Sequence, residues 1–233
     1  DAHKLQQVLE KKYGFRTFLV ADGSKVAILN ALNDLYEVVG ENDNLLVYYA
    51  GHGELSHPSE LERVRGYWLP VNAQPDILTR WINNSVISDH LDRIRARSIL
   101  VLADSCYAGA MASLQSALLL ASGSSTLSTQ AIERGISRRS RIVISSGGVA
   151  PVYDTGAKGA HSLFTGALLA VLEHNDGILR DNMLFARVAV DVHGRAKKLG
   201  VSQTPQMRPI RAAGHAGGDF FFVPTSVKDV ATR

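Results

Sequence analysis

A single cysteine, Cys106, stands among 233 residues, so no internal disulfide can staple the chain. That count is compatible with a reducing compartment, and a cytoplasmic location is the expectation. No apolar run approaches the roughly 18 consecutive residues of a membrane span. The longest candidate, residues 117–121, is far too short. No basic stretch followed by an apolar core opens the sequence, so no secretory leader is expected. Asn83-Asn84-Ser85 fits a glycosylation acceptor only as a chance match to a weak pattern. An excess of one charge is missing as well: 25 basic and 22 acidic residues leave a formal net charge of +3. So even a balance argues against nucleic acid and membrane as partners, despite a pI near 9.0. The chain has no P-loop and no glycine fingerprint of a dinucleotide fold, which disfavours a nucleotide enzyme. Apart from His52, the histidines (His3, His57, His90, His161, His174, His193 and His215) show no metal-ligand spacing and read as surface or packing residues.

What remains has an ordinary globular composition, 45% hydrophobic and 20% charged. Two stretches share one design. Leu45-Leu46-Val47-Tyr48-Tyr49-Ala50 stops at Gly51-His52-Gly53, and Ser98-Ile99-Leu100-Val101-Leu102-Ala103 stops at Asp104-Ser105-Cys106. Short continuous apolar runs closed by turn residues are the pattern of strands buried on both faces of a parallel sheet. Around them the spacing predicts a helix over residues 2–13 with Leu5, Val8 and Leu9 inward, ended by Gly14. A strand over 15–20 and a helix over 24–39 with Val26, Leu29, Leu32, Leu35 and Tyr36 inward follow. Residues 66–71 read as an aromatic strand or hairpin arm, 72–84 as loop, and 88–96 as helix. After Cys106, residues 111–121 can be helical and the Ser/Thr/Gly-rich 122–130 reads as a mobile loop. Arg134, Arg138, Arg139 and Arg141 form a basic cluster before a strand at Ile142-Val143-Ile144. Helices over 162–173 and 182–199 and a final strand over 217–224 complete the chain. Strands alternating with helices argue for one α/β sandwich without internal repeats.

Open parallel sheets carry their sites beyond the carboxyl ends of the strands, which sets His52 and Cys106 at one rim. Either residue alone reads as ordinary packing, an inert core cysteine or a capping histidine. Both at strand ends, flanked by small residues, make a candidate nucleophile–base pair. Trp68 and Trp81 read as packing residues.

The segments Tyr48-Tyr49-Ala50-Gly51-His52-Gly53 and Asp104-Ser105-Cys106-Tyr107-Ala108-Gly109 resemble the two active-site motifs of caspase-like cysteine proteases. The resemblance is to the prokaryotic metacaspase and orthocaspase branch. Gly66-Tyr67-Trp68-Leu69-Pro70-Val71, Ser145-Ser146-Gly147-Gly148, Pro151-Val152-Tyr153-Asp154 and Gln203-Thr204-Pro205-Gln206 look like further stretches of the same group. The resemblance implies a three-layer α/β fold, a mostly parallel central sheet with helices on both faces. It implies one domain over residues 1–233, with 1–121 resembling a large subunit, 122–141 a linker and 142–233 a small subunit. The family's first strand would lie before Asp1.

It also implies roles. Cys106 would be the nucleophile, His52 the base, and the backbone N–H groups of Gly53 and Cys106 the oxyanion donors. Asp104, otherwise an ordinary capping residue, would line the pocket for the residue preceding the scissile bond (P1). Asp1 matches another pocket aspartate of that branch, and Asp154 would add charge there. Carboxylates in one cleft favour arginine or lysine, so the implied partners are protein or peptide substrates with Arg or Lys at P1. Family enzymes are commonly processed in the linker, which makes Arg134 and Arg138 candidate autocleavage sites, Arg134 the better since Gly135 follows it. No cofactor is required by the sequence; the resemblance allows calcium, for which no acidic cluster is evident. Two other readings stay open: a caspase-like adaptor that binds partners without catalysis, and a related protease with another P1 choice such as asparagine.

Overall fold

The computed structural model describes residues 1–56, 65–75, 77–105, 128–147 and 161–227. Expectations placed on Cys106, on residues 111–121 and on Asp154 lie outside the described residues.

A four-stranded sheet organises the fold. Strands β1 (Asn44–Ala50), β5 (Ser98–Asp104) and β6 (Ser140–Ser145) run parallel in that order, and β8 (Gln206–Pro209) closes the sheet antiparallel to β6. Every residue of β5 is buried, as a central strand covered on both faces must be, which explains its unbroken apolar run. Its side chains alternate between two cores. Leu100 and Leu102 face α1 (Ala2–Tyr13), α5 (Leu163–Glu173) and α6 (Asp181–Lys198) through Leu5, Leu168, Leu184 and Val188. Ile99, Val101 and Ala103 face α2 (Lys25–Val38) and α3 (Asn84–Arg93) through Leu32, Ile87 and Leu91. Each such fully buried aliphatic side chain contributes about 1.5–3 kcal/mol. The expected three-layer α/β architecture with a mostly parallel sheet is therefore what the chain adopts.

Helix ends follow local chemistry. Gly14 ends α1 in the left-handed conformation at φ 68°, its N–H on the Glu10 carbonyl, a geometry that costs glycine no Cβ clash. Ser24 caps α2 by accepting from the Ala27 N–H, and Asn83 caps α3 by accepting from the Ser85 N–H. The apparent glycosylation triplet is thus a helix start.

Several sequence expectations need correction. Residues 15–20 join no ladder. Their composition suits a pleated surface, but a strand exists only against a neighbour, and among the described residues β1 pairs with β5 alone. Val26 is exposed, and Ile28 packs against the core in its place. Residues 72–84 are less loop-like than expected, with a 3₁₀ turn at Leu78–Arg80 and strand β4 at Ile82–Asn83. The following helix begins at Asn84, four residues early, because Asn83 caps it, and it stops at Arg93.

The expected irregular linker is corrected from residue 128 onward. Ser128 caps α4 (Thr129–Ser137), and β6 begins at Ser140. Arg141, expected in the basic cluster ahead of the strand, lies within β6 and is fully buried. Its guanidinium donates to the carbonyls of Ile94 (3.0 Å), Ala96 (2.8 Å), Arg97 (3.1 Å) and Ser140 (2.8 Å). Burial, with the neighbouring Arg139 charge, lowers its pKa to about 10, so it stays charged at neutral pH. Finally, only Phe221–Phe222 (β9) of the expected last strand is a strand, paired with β7 (Leu179–Arg180). Strand β8 was not anticipated.

Candidate active site

Beyond Ala50 the chain does not turn into a loop. After Gly51 alone it enters β2 (His52–Ser56), which forms a separate antiparallel sheet with β3 (Arg65–Leu69) and β4. The aromatic stretch at residues 66–71 is therefore a hairpin arm, and it serves the histidine. Tyr49 stacks on Trp68 with ring centroids 4.1 Å apart and planes 2° from parallel. The Tyr49 hydroxyl donates to the carbonyls of His52 (2.7 Å) and Leu69 (3.3 Å), which sit opposite each other in the ladder. The His52 carbonyl is thus held in place while the residue as a whole remains exposed. Gly53, next along β2, is buried opposite Trp68. Trp68 packs as expected. Trp81 packs edge-on against Tyr67 and donates from Nε1 to the Gln74 carbonyl.

The second strand end is held as firmly. In the register of β1 with β5, Asn44 faces Ser98 and Ala50 faces Asp104, an offset of 54 residues. The Gly51 N–H donates to the Asp104 carbonyl at 3.3 Å, so the two strand ends stay joined past the ladder. His52 and Cys106 differ by the same 54 positions in sequence. The described chain reaches Ser105, one residue short of the cysteine. Ser105 is buried and clamped by Ser146, whose Oγ accepts its N–H (3.1 Å) and donates to its carbonyl (3.3 Å). The Ser146 N–H donates to the Ala103 carbonyl (2.9 Å), and Gln203 Nε2 donates to the Ser146 carbonyl (3.0 Å). Those contacts give Ser145-Ser146-Gly147 and Gln203 a physical role: they brace the last turn before Cys106.

Asp104 is buried at the end of β5, with its carboxylate on hydroxyls. Oδ2 accepts from Ser162 Oγ and from Thr165 Oγ1, the latter at 2.6 Å. Thr165 in turn lies 2.6 Å from the Tyr48 hydroxyl. Burial, with the Asp104 charge adding to it, raises the Tyr48 phenol above its ordinary range and keeps it neutral. Ser162 also caps α5 by accepting the Thr165 N–H (2.9 Å). Asp1, at the start of α1, makes no capping bond; its Oδ1 lies 2.6 Å from His161 Nδ1. The dipeptide His161-Ser162 thus bridges the two aspartates that the resemblance assigns to one pocket. Ser162 and Thr165 were missed in the sequence as site residues, although a serine at the head of an apolar run is a helix-capping signal.

The arginines of the expected linker lie elsewhere. Arg134 sits in the last turn of α4, its Nε on the Gln130 carbonyl. The Gly135 carbonyl accepts the Asp219 N–H, and the Asp219 carbonyl accepts from Ser98 Oγ, at the opposite end of β5 from Asp104. Seven strand residues separate those ends by about 20 Å. Arg138 follows α4, exposed, its carbonyl packed so tightly on Gly218 that a Cβ there would come within 2.1 Å. Among the described residues no three acidic, histidine or cysteine side chains converge to hold a metal ion. No described helix is long and apolar enough to cross a membrane.

Comparison with known proteins adds two findings. The family model described as Caspase domain matches residues 1–212. Among solved structures, the crystal structure of protein GSU0716 from Geobacter sulfurreducens matches with a TM-score of 0.53, covering 92% of this chain and 84% of that one. Sequence identity there is 16%, a likeness of fold alone. No curated protein sequence matches the chain.

Proposed function

Because this chain belongs to the caspase-domain family of peptidases, we propose that it is a cysteine endopeptidase that cleaves after arginine or lysine. The observation that carries the reading is the junction of the two strand ends. The Gly51 N–H on the Asp104 carbonyl holds the His52 motif and the chain leading to Cys106 side by side at the carboxyl rim of the sheet. His52 takes the thiol proton of Cys106, and the thiolate attacks the substrate carbonyl carbon. Charge gathers on the carbonyl oxygen, where the backbone N–H groups of Gly53 and Cys106 are the proposed donors. Collapse of that intermediate expels the amine, which receives the proton from His52 and leaves an acyl-enzyme. Water, deprotonated by His52, then releases the acid and restores the thiol.

Specificity for a basic P1 side chain rests on Asp104 and Asp1, bridged by His161-Ser162 near the rim. Asp104 already accepts hydrogen bonds from the hydroxyls of Ser162 and Thr165. Asp154 is a further proposed contributor. Self-processing after Arg134 or Arg138 is part of the same reading. With these arginines at the far end of β5, it would take place between molecules, and at Arg134 only where α4 has unravelled.

A positional peptide library incubated with wild-type protein and with Cys106→Ala tests the reading. Cleavage after Arg and Lys by the first and none by the second is the expected result. Failure of a covalent basic-P1 probe to label Cys106 would favour the adaptor reading instead.

A further inference from the structure

The residues flanking the proposed pocket are not equivalent. Ser162 offers Asp104 a neutral hydroxyl, whereas His161, its neighbour in the chain, offers Asp1 an imidazole that can carry charge. We infer that His161 is a specificity-determining residue, competing with the basic P1 side chain of the substrate for the Asp1 carboxylate. With His161 protonated, Asp1 is neutralised within the protein and the cleft presents one carboxylate to an incoming cation. With His161 neutral, it presents two. The inference rests on the basic-P1 reading above and adds a residue to it.

Among the described residues, the charged side chains that share a groove with His161 are paired with each other or with a neighbour. Lys4 pairs with Glu173 at 3.0 Å, and Arg195 pairs with Asp191 at 2.7 Å. Lys4, Glu173, Arg195 and His174 line one groove of about 390 Å³ with His161. His174 Nδ1 lies 2.8 Å from the Ala170 carbonyl and makes no contact with Asp1. Asp104 is held by Ser162 and Thr165. Side-chain exposure of 37% for His161 and 26% for Asp1 leaves room for a substrate cation to displace the ring.

The test is a binding measurement in the Cys106→Ala background, where no cleavage occurs. Calorimetry compares a peptide with arginine at P1 and the same peptide with neutral citrulline there, each at pH 5.5 and pH 8.0. His52 is present in parent and variant alike, so the variants isolate the contribution of His161. The parent should lose about fivefold in its preference for arginine over citrulline at the lower pH, the scale of one partly exposed ion pair. His161→Gln should hold its preference nearly constant, and His174→Gln should behave like the parent. An identical pH response in the parent and His161→Gln overturns the inference while leaving the basic-P1 reading intact. Equal affinity for arginine and citrulline at both pH values in the parent removes that reading and this inference with it.

Discussion

Ser146 holds Ser105 at both of its backbone groups, accepting the N–H at 3.1 Å and donating to the carbonyl at 3.3 Å. One hydroxyl therefore sets the course of the chain as it enters Cys106. Ser146→Ala leaves a buried N–H without this acceptor, at a cost of about 1–3 kcal/mol in stability. A nucleophile displaced by an ångström loses far more in rate. We expect kcat to fall at least tenfold beyond what the loss of folded protein explains, read from steady-state kinetics beside urea unfolding. A variant with lowered stability and unchanged kcat would show that the clamp serves the fold alone.

His52→Ala and Cys106→Ala should each abolish peptide cleavage. His52 is an exposed first residue of β2 and lies outside both core clusters, so its loss should change stability by no more than about 0.5 kcal/mol. Turnover by purified Cys106→Ala above a buffer blank would remove the thiol mechanism.

Asp104→Asn retains an oxygen for the hydroxyls of Ser162 and Thr165 but carries no charge. Cleavage after arginine should fall more than tenfold, with only a small shift in melting temperature. Unchanged kcat/KM on Arg substrates would take Asp104 out of the specificity pocket.

Arg141 makes a contrasting prediction. Its guanidinium satisfies carbonyls of Ile94, Ala96, Arg97 and Ser140, and no carboxylate pairs with it among the salt bridges of the described residues. Arg141→Met strands those acceptors, each at a cost of about 1–3 kcal/mol where it stays buried and unpaired, and should destabilise the fold without altering P1 preference. Equal denaturation midpoints for variant and wild type would refute the role.

Asp181 supplies a pH dependence. Fully buried at the start of α6, it accepts the N–H groups of Asn182 (2.8 Å) and Phe220 (3.0 Å). Burial, then the neighbouring Asp219 charge, pushes its carboxyl up to about 7. A carboxyl whose folded pKa lies above its unfolded value, about 4, stabilises the fold fully below pH 4. That contribution disappears as pH rises through 7. Urea unfolding should therefore show the advantage of wild type over Asp181→Ser to be larger at pH 5 than at pH 8. The same advantage at both values would contradict the assignment.

The sequence was readable where burial is continuous or where backbone chemistry is local. Strands β1 and β5 could be seen because a strand covered on both faces must be apolar throughout. The ends of α1 and α2 could be seen because Gly14 and Ser24 act within one turn. Residues 15–20 misled because a β-rich composition says nothing about whether a neighbouring strand is there to receive it. Arg141 misled for a related reason. A charge run is usually solvated, and nothing local announces that three carbonyls from a distant turn converge on one of its members. At the site, His52 and Asp104 were legible from their motifs. Ser162, Thr165 and His161 are brought to Asp104 and Asp1 only by the docking of α5 against the sheet, which no short-range pattern encodes.

Arg141 and Ser146 share one further property. Arg141 lies in β6 and Ser146 directly follows it, and both grip backbone that precedes Cys106: Arg141 the turn at Ile94, Ala96 and Arg97, Ser146 the strand end at Ala103 and Ser105. Between them lies the ladder of β5 with β6, with Ala103 still facing Ser145 near its upper end. None of these bonds depends on the chain being continuous between residues 105 and 128. A single cut in that interval would leave two polypeptides that cannot part without tearing open the centre of the sheet. Such a cut would yield a heterodimer already assembled, its two halves joined by the core itself.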